Sequence, residues 1–226
     1  MSVRNNSFLF FLLIATLLIS CSKAEDDVLS PDRSTTITVI NAGPDTLNIY
    51  QKGTRLNSGS NLLPGGQYTG LQVSVGTTNY QFKRAGMPDV LMEAPFNIQL
   101  FNNGAFKNTL FVAGQSADKV FLLRDSLPAA DTTYIRFVNA SPIEKTLEVS
   151  IGNNFKYENV AFKATTPFIP IVNGRVYMSI RQTGDTTQIA KGYLTLTKNA
   201  TYTLFTKGVL KGIGTNAFGA RMLLAR

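Results

Sequence analysis

The stretch RFVNASPIEKTLEVSIGN, Arg136–Asn153, restates an earlier stretch, TVINAGPDTLNIYQKG, Thr38–Gly53. In both, alternating apolar residues lead into Asn-Ala-small-Pro and then alternate again. The alternation predicts half-buried β-strands. Asn can bond the backbone two residues on and Pro fixes φ, so the phrase between the strands predicts a turn. We interpret it as scaffold, with ligand contact at a loop as the alternative.

The match continues along about 90 residues in the same order, which indicates an internal duplication. Ile37 corresponds to Ile135, an offset of 98 positions. Near the end of each copy, NTLFVAG (Asn108–Gly114) corresponds to YTLFTKG (Tyr202–Gly208), at an offset of 94. About 90 residues allow each copy its own hydrophobic core without disulfides.

Turn residues separate the strand patterns every 8 to 12 residues, the spacing of a β-sandwich. The sequence therefore predicts an all-β protein with two tandem antiparallel immunoglobulin-like β-sandwich domains, each of six or seven strands. The predicted boundaries are residues 36–125 for the first repeat, 126–131 for a linker and 132–226 for the second repeat.

The N-terminus carries a targeting pattern. Arg4 precedes FLFFLLIATLLI, Phe8–Ile19, which is too short to span a bilayer and fits a signal-peptide core. The following LLISC resembles a bacterial lipobox, so residues 1–20 are predicted to be a lipoprotein signal peptide and Cys21 to be lipidated. An ordinary cleaved signal peptide is the alternative. Cys21 is the only cysteine, so an internal disulfide is excluded.

Residues 21–35 are polar and acidic and predict a flexible tether. Lys23 followed by Glu25, Asp26 and Asp27 resembles the surface-export signal of Bacteroidota lipoproteins. We expect a lipid-anchored outer-membrane protein exposed at the cell surface, with the periplasmic side as the alternative. The membrane is then a partner through the anchor.

Three stretches of the second repeat resemble the DUF4397 family: RFVNASP, NGRVYMSIRQTGD (Asn173–Asp185) and YTLFTKG. This resemblance implies a β-rich, immunoglobulin-like domain of bacterial lipoproteins and surface proteins, often in tandem. The first repeat matches less well because its middle is longer and less regular. The family brings no catalytic residues with it.

Missing residue types exclude several function classes. The chain has no His, and its one Cys is the predicted lipidation site. Ser-His-Asp and Cys-His catalysis and zinc sites of His or Cys are therefore excluded. Neither repeat clusters the acids that calcium needs. We expect no enzyme, metal or cofactor, although a pair of carboxylates could still serve a glycan hydrolase.

Charge is uneven, because residues 132–226 hold twelve Lys and Arg against four Asp and Glu. The basic residues are scattered singly, the pattern of a solvated sheet face, so nucleic acid is not expected as a partner. An anionic surface partner stays open. Sugars stack on exposed aromatic rings; we considered four tyrosines near predicted turns as such a platform: Tyr50, Tyr68, Tyr80 and Tyr157.

Asp-Ser/Thr motifs flank the predicted linker and resemble the O-glycosylation acceptors of Bacteroidota. They mark Ser126 and Thr132 as candidate glycosylation sites.

The function that the sequence favours is a non-catalytic binding, adhesion or structural module of the cell envelope, with a glycan or an envelope protein as partner. The alternatives are a carboxylate-based glycan hydrolase and a spacer subunit of an envelope complex.

Overall fold

A computed structural model describes residues 33–100, 106–129, 131–153 and 155–225. The predicted signal peptide, Cys21 and the tether up to residue 32 lie outside these ranges. Ser34–Arg226 forms one compact unit. No helix in the described part of the chain has the length and hydropathy needed to cross a bilayer.

Sixteen strands make up the described fold. The first repeat contains β1 (Ser34–Asn41), β2 (Leu47–Gln51), β3 (Thr54–Arg55), β4 (Gln67–Ser74), β5 (Gly76–Arg84), β6 (Val90–Ile98), β7 (Phe106–Val112) and β8 (Val120–Ser126). The second contains β9 (Tyr134–Val138), β10 (Leu147–Ile151), β11 (Phe155–Val160), β12 (Ile169–Pro170), β13 (Gly174–Gln182), β14 (Gln188–Leu196), β15 (Thr201–Lys207) and β16 (Gly219–Leu224). Two single-turn 3₁₀ helices, Ala117–Lys119 and Gly214–Asn216, precede β8 and β16.

Each repeat is a sandwich of two four-stranded sheets. The first repeat has the orders β4-β1-β7-β8 and β3-β2-β5-β6, and the second has β12-β9-β15-β16 and β11-β10-β13-β14. The predicted β-sandwich class is confirmed. Each repeat has eight strands rather than six or seven, because β3 and β12 are two residues long and show no alternation.

The sheets are antiparallel apart from one pair in each repeat. β1 lies parallel to β7, and β9 lies parallel to β15. Parallel neighbours need a long connection, and here the five intervening strands supply it. In an immunoglobulin constant domain the first two strands share a sheet, whereas β1 and β2 lie in different sheets. The repeats therefore share the two-sheet sandwich architecture of immunoglobulin domains but differ in how the first two strands are placed.

The two repeats share their strand register. Ile37 faces Asn108 across β1 and β7, and Ile135 faces Tyr202 across β9 and β15. The offsets of these partners are the 98 and 94 positions derived from sequence. The β5–β6 hairpin has a register shift after Phe82, and the β13–β14 hairpin has one at the equivalent position, after Ile180. The duplication is thus one of fold and register.

The Asn-Ala-small-Pro phrase acts as scaffold in both copies. The Asn41 side-chain oxygen accepts from the N–H of Gly43 at 3.0 Å, and that of Asn139 accepts from Ser141 at 3.1 Å. Both asparagines are fully buried. Their amides donate to equivalent carbonyls on the opposite side of the turn, those of Leu62 and Val160. The bond to the backbone two residues on confirms the predicted turn chemistry.

The two sandwiches pack face to face through the β1 and β9 sheets. A hydrophobic cluster joins both repeats, with Ile40, Ala42, Phe111, Ala113, Phe121, Val138, Ala140, Phe205 and Leu223 as its buried members. Phe111 and Phe205 occupy equivalent positions and meet edge to face, with ring centroids 5.8 Å apart. Because equivalent residues face each other, the contact has the self-complementary character of a two-fold interface.

A buried ion pair joins the repeats beside their connection. The Arg136 guanidinium donates two hydrogen bonds to the Asp125 carboxylate, and both side chains are less than a tenth exposed. Arg136 also donates to the Thr203 hydroxyl at 3.0 Å and lies 4.5 Å from the Phe168 ring. The expectation that the basic residues lie on a solvated face is therefore wrong for Arg136, because the first sandwich covers that face.

Candidate functional site

The four tyrosines considered from sequence do not form an exposed platform. Tyr80 is fully buried, and burial raises its pKa to about 12. Tyr68 and Tyr157 are half-buried against the two cores, and the Lys83 ammonium covers Tyr50 at 4.9 Å. That prediction is wrong for Tyr80, because alternation along β5 turns this ring inward.

Two other tyrosines form an exposed pair on the outer face of the second sandwich. Tyr177 of β13 lies directly opposite Tyr193 of β14. Their ring centroids are 5.4 Å apart in an edge-to-face arrangement, and the residues are 38% and 59% exposed. Met178 and Leu194, the next residues along, point into the core. Both tyrosines therefore belong to the solvent-facing phase of their strands.

Two cations lie beside this pair. The Arg175 guanidinium stacks over the Tyr193 ring at 4.1 Å, an attraction of about 0.5–1 kcal/mol at an exposed site. Lys191 is exposed and lies opposite Ser179, one row farther along the strands. Among the residues that the structure describes, neither side chain has an acidic partner. We call these four residues the aromatic face: Arg175, Tyr177, Lys191 and Tyr193.

A polar hollow of about 230 Å³ adjoins the aromatic face. It is lined by Glu148, Ser150, Ser179, Arg181, Thr186 and Gln188. The Tyr177 hydroxyl donates to the Gln188 side-chain oxygen at 3.3 Å, which joins the ring pair to the hollow. Drug-sized ligands occupy about 300–1,000 Å³, so this smaller hollow suits one polar group such as a sugar ring.

The carboxylate in the hollow is held in its charged form. Arg181 donates to the Glu148 carboxylate at 2.8 and 2.6 Å, and this bonding holds the pKa of Glu148 below its ordinary value. A glycosidase acid needs a raised pKa. The neighbouring Glu158 is exposed and paired with Lys156, which also lies 3.6 Å from Glu148. A lysine thus bridges the two carboxylates, which does not favour hydrolysis.

No cluster of three potential metal ligands occurs within the described ranges. Four acids of the two repeats lie near turns, in salt bridges or in a 3₁₀ turn. Asp45 pairs with Arg84, and Asp185 pairs with Lys145. Glu158 pairs with Lys156, and Asp118 lies in the exposed 3₁₀ turn.

The first repeat lacks the aromatic face. Asn79 and Pro95 lie opposite each other at the positions of Tyr177 and Tyr193, and Thr77 and Glu93 replace Arg175 and Lys191. The duplicated scaffold therefore provides an internal comparison. Sequence reasoning missed the tyrosine pair because it considered only tyrosines near predicted turns as a platform. The available signal was the polar phase that both residues share with Ser179 and Lys191.

The candidate glycosylation sites differ in accessibility. Ser126 is exposed at the end of β8, whereas Thr132 is half-buried. The aspartate that precedes Ser126 is Asp125, which is engaged with Arg136 in the interface. Glycosylation at both residues stays a prediction.

Solved structures resemble this chain only loosely. A CBM26-family module of Eubacterium rectale Amy13K, solved with maltoheptaose, is 13% identical over 84% of this chain and 96% of its own, with a TM-score of 0.26. A streptococcal virulence factor described for alpha-glucan binding is 9% identical over 81% and 97%, with a TM-score of 0.26. Likenesses this loose support no statement about what this chain binds.

No curated protein matches the sequence. The family DUF4397, a domain of unknown function, matches residues 133–220. This range begins just before β9 and ends within β16, so it covers nearly all of the second sandwich. The DUF4397 model therefore matches the second repeat, which carries the aromatic face.

Proposed function

We propose that this protein is a non-catalytic, lipid-anchored module of the bacterial cell envelope that binds glycans through the aromatic face. The observation that supports this most is the exposed Tyr177–Tyr193 pair beside a polar hollow. Sugar rings offer apolar C–H faces that pack on aromatic rings, while their hydroxyl groups need hydrogen-bond partners. Ser150, Ser179 and Gln188 provide such partners next to the rings.

A purely structural role for the ring pair is the competing interpretation. A cross-strand aromatic pair stabilises a sheet by about 0.5–1.5 kcal/mol beyond its buried area. That role does not need adjacent unpaired cations or a polar hollow. The two interpretations predict different results, because loss of a structural pair changes stability and loss of a binding platform changes affinity.

Removing the rings tests this proposal. We expect Tyr177→Ala and Tyr193→Ala each to weaken binding of an oligosaccharide by about tenfold, the effect of about 1.4 kcal/mol at an interface. Isothermal titration against a panel of neutral and acidic oligosaccharides measures the affinity. Asn79→Ala, at the equivalent position of the first repeat, is the matched control and should leave the affinity unchanged.

Thermal unfolding of the same variants separates the two roles. Unchanged affinity in the Tyr177→Ala/Tyr193→Ala double variant, with a lowered melting temperature, would assign the pair to sheet stability alone. Wild-type protein that binds no member of the panel would also contradict the proposal.

The anchor is proposed at Cys21, with the body at the outer-membrane surface. Two or three acyl chains exceed what stable anchoring needs, since each buried methylene contributes about 0.8 kcal/mol. We expect the intact mass of protein purified from its native host to include diacylglycerol at Cys21, and Cys21→Ser protein to leave the membrane fraction. An unmodified Cys21 in the wild-type protein would refute the anchor. Protease shaving of intact cells distinguishes surface from periplasmic exposure.

A further inference from the structure

We propose that the ligand of the aromatic face is an acidic oligosaccharide, one with carboxylate groups on its sugar rings. This inference rests on the proposed function, which requires only that a glycan binds there. It adds the charge of the ligand and the residues that select it, Arg175 and Lys191.

The two cations lie on opposite sides of the tyrosine pair. In the β13–β14 register Arg175 faces Thr195, Tyr177 faces Tyr193, and Ser179 faces Lys191. Because outward residues on one strand follow every second position, these three pairs form successive rows about 6.6 Å apart. Arg175 and Lys191 are therefore separated by about 13 Å along the strands. A chain molecule that lies on the rings along the strands would meet a cation at each end.

The charges on this face are not balanced locally. Glu148 is engaged by Arg181 and Lys156, and Glu158 by Lys156. The neighbouring acids therefore already have cationic partners. Arg175 and Lys191 have no acidic partner within the ranges that the structure describes, so an anionic ligand would supply the missing counter-charge. A neutral sugar could accept hydrogen bonds from the Lys191 ammonium but would gain no charge attraction.

The first repeat lacks both features together. Where the second repeat has two cations and two rings, the first has Thr77, Asn79, Glu93 and Pro95. Glu93, at the position of Lys191, is an acid instead of a base. Its carboxylate accepts a hydrogen bond from Gln81 at 2.9 Å. Cations and rings thus occur together in one copy of the scaffold and are both missing at the same positions of the other copy, which favours a shared role in binding.

A carboxylate on the ligand fits both cations. Arginine presents planar donors that pair with a carboxylate in a two-pronged geometry. The stack on Tyr193 holds the Arg175 guanidinium in place before binding, which reduces the ordering cost of the complex. Lys191 acts as a point charge and requires no particular geometry.

The experiment compares two probes on the mature full chain. An oligomer of about six galacturonic acid residues is the acidic probe, and maltoheptaose is the neutral one. We expect the acidic probe to bind at least about tenfold more tightly at low salt. This difference should shrink at about 500 mM salt, where exposed charges are screened within a few ångströms. Affinity is read by isothermal titration.

Charge variants identify the selecting residues. Arg175→Gln/Lys191→Gln should lose most of the preference for the acidic probe and keep its affinity for the neutral one. Lys211→Gln is the matched control, because Lys211 is an exposed cation in the loop before β16, outside the β13–β14 sheet. It should leave both affinities unchanged.

The outcomes separate the two proposals. Equal binding of both probes, unaffected by the charge variants, would overturn the acidic ligand and leave glycan binding intact. Binding of neither probe would overturn the acidic ligand, and failure of the whole oligosaccharide panel would overturn glycan binding too. Tighter binding of a single-stranded oligothymidylate, competed by neither sugar, would overturn both in favour of nucleic acid, since protein sites for single strands also combine cations with aromatic rings.

Discussion

Arg136→Ala should destabilise the protein by about 3–5 kcal/mol, because it leaves the Asp125 carboxylate buried without a partner. The two side chains are only 5% and 7% exposed, so water cannot replace the lost guanidinium without opening the contact between the repeats. The substitution also removes the hydrogen bond of Arg136 to Thr203 and its contact with the Phe168 ring. Urea unfolding measures the free-energy change.

An exposed pair in the same protein provides the matched control for Arg136. Arg84 pairs with Asp45 at 3.0 Å with its own side chain 46% exposed. Arg84→Ala should cost at most about 1 kcal/mol, since surface pairs contribute little. The double variant Asp125→Leu/Arg136→Met should recover much of the lost stability, because apolar residues can replace a buried pair. If Arg136→Ala costs no more than Arg84→Ala, the pair does not hold the repeats together.

Asn139→Ala is the second large effect that we expect, at about 2–5 kcal/mol. The substitution removes the donor to the Val160 carbonyl and the acceptor for the Thr206 hydroxyl, at 3.0 and 2.9 Å. Each buried group left without a partner costs about 1–3 kcal/mol. Ser141 keeps a bond to Thr206, so its N–H adds less.

Two further variants frame the Asn139 result. Asn41→Ala, the same change in the first copy, removes the equivalent bonds to Leu62 and Gly43 and a further bond to the Asp45 carbonyl, and should cost a similar amount. Asn97→Ala lies on the exposed phase of β6 and should change stability by no more than about 0.5 kcal/mol. Chemical unfolding of all three variants measures these differences. Equal, small effects at all three positions would show that the phrase is not essential scaffold.

Much of the strand content could be predicted because it depends on local pattern. Alternation marked β2, β10, β13 and β15, and Asn41 and Asn139 form the turn that their neighbours suggested. The duplication could be predicted because both copies keep the same residue types in the same order, at offsets of 98 and 94 positions. Local pattern was insufficient for β3 and β12, which are too short to alternate. It was also insufficient for the pairing direction of β1 and β7, whose partners are about 70 residues apart.

The candidate site was harder to predict than the fold. Alternation determines which residues of a strand share a face, but not whether that face meets solvent or another layer. Arg136 and Tyr177 both lie on the face of their strand opposite its own core. The first is buried because another sandwich covers its sheet, and the second is exposed because its sheet faces solvent.

The sequence by itself determined the strand pattern and the asparagine turn, because each depends on residues within a few positions of one another. It also determined the repeat, because the same residue types recur in the same order. The tertiary structure decided the strand order, the shared core between the repeats, the burial of the Asp125–Arg136 pair and the exposure of the Tyr177–Tyr193 pair. Burial depends on which sheets pack against each other. Those contacts join residues from distant parts of the chain, and no local pattern specifies them.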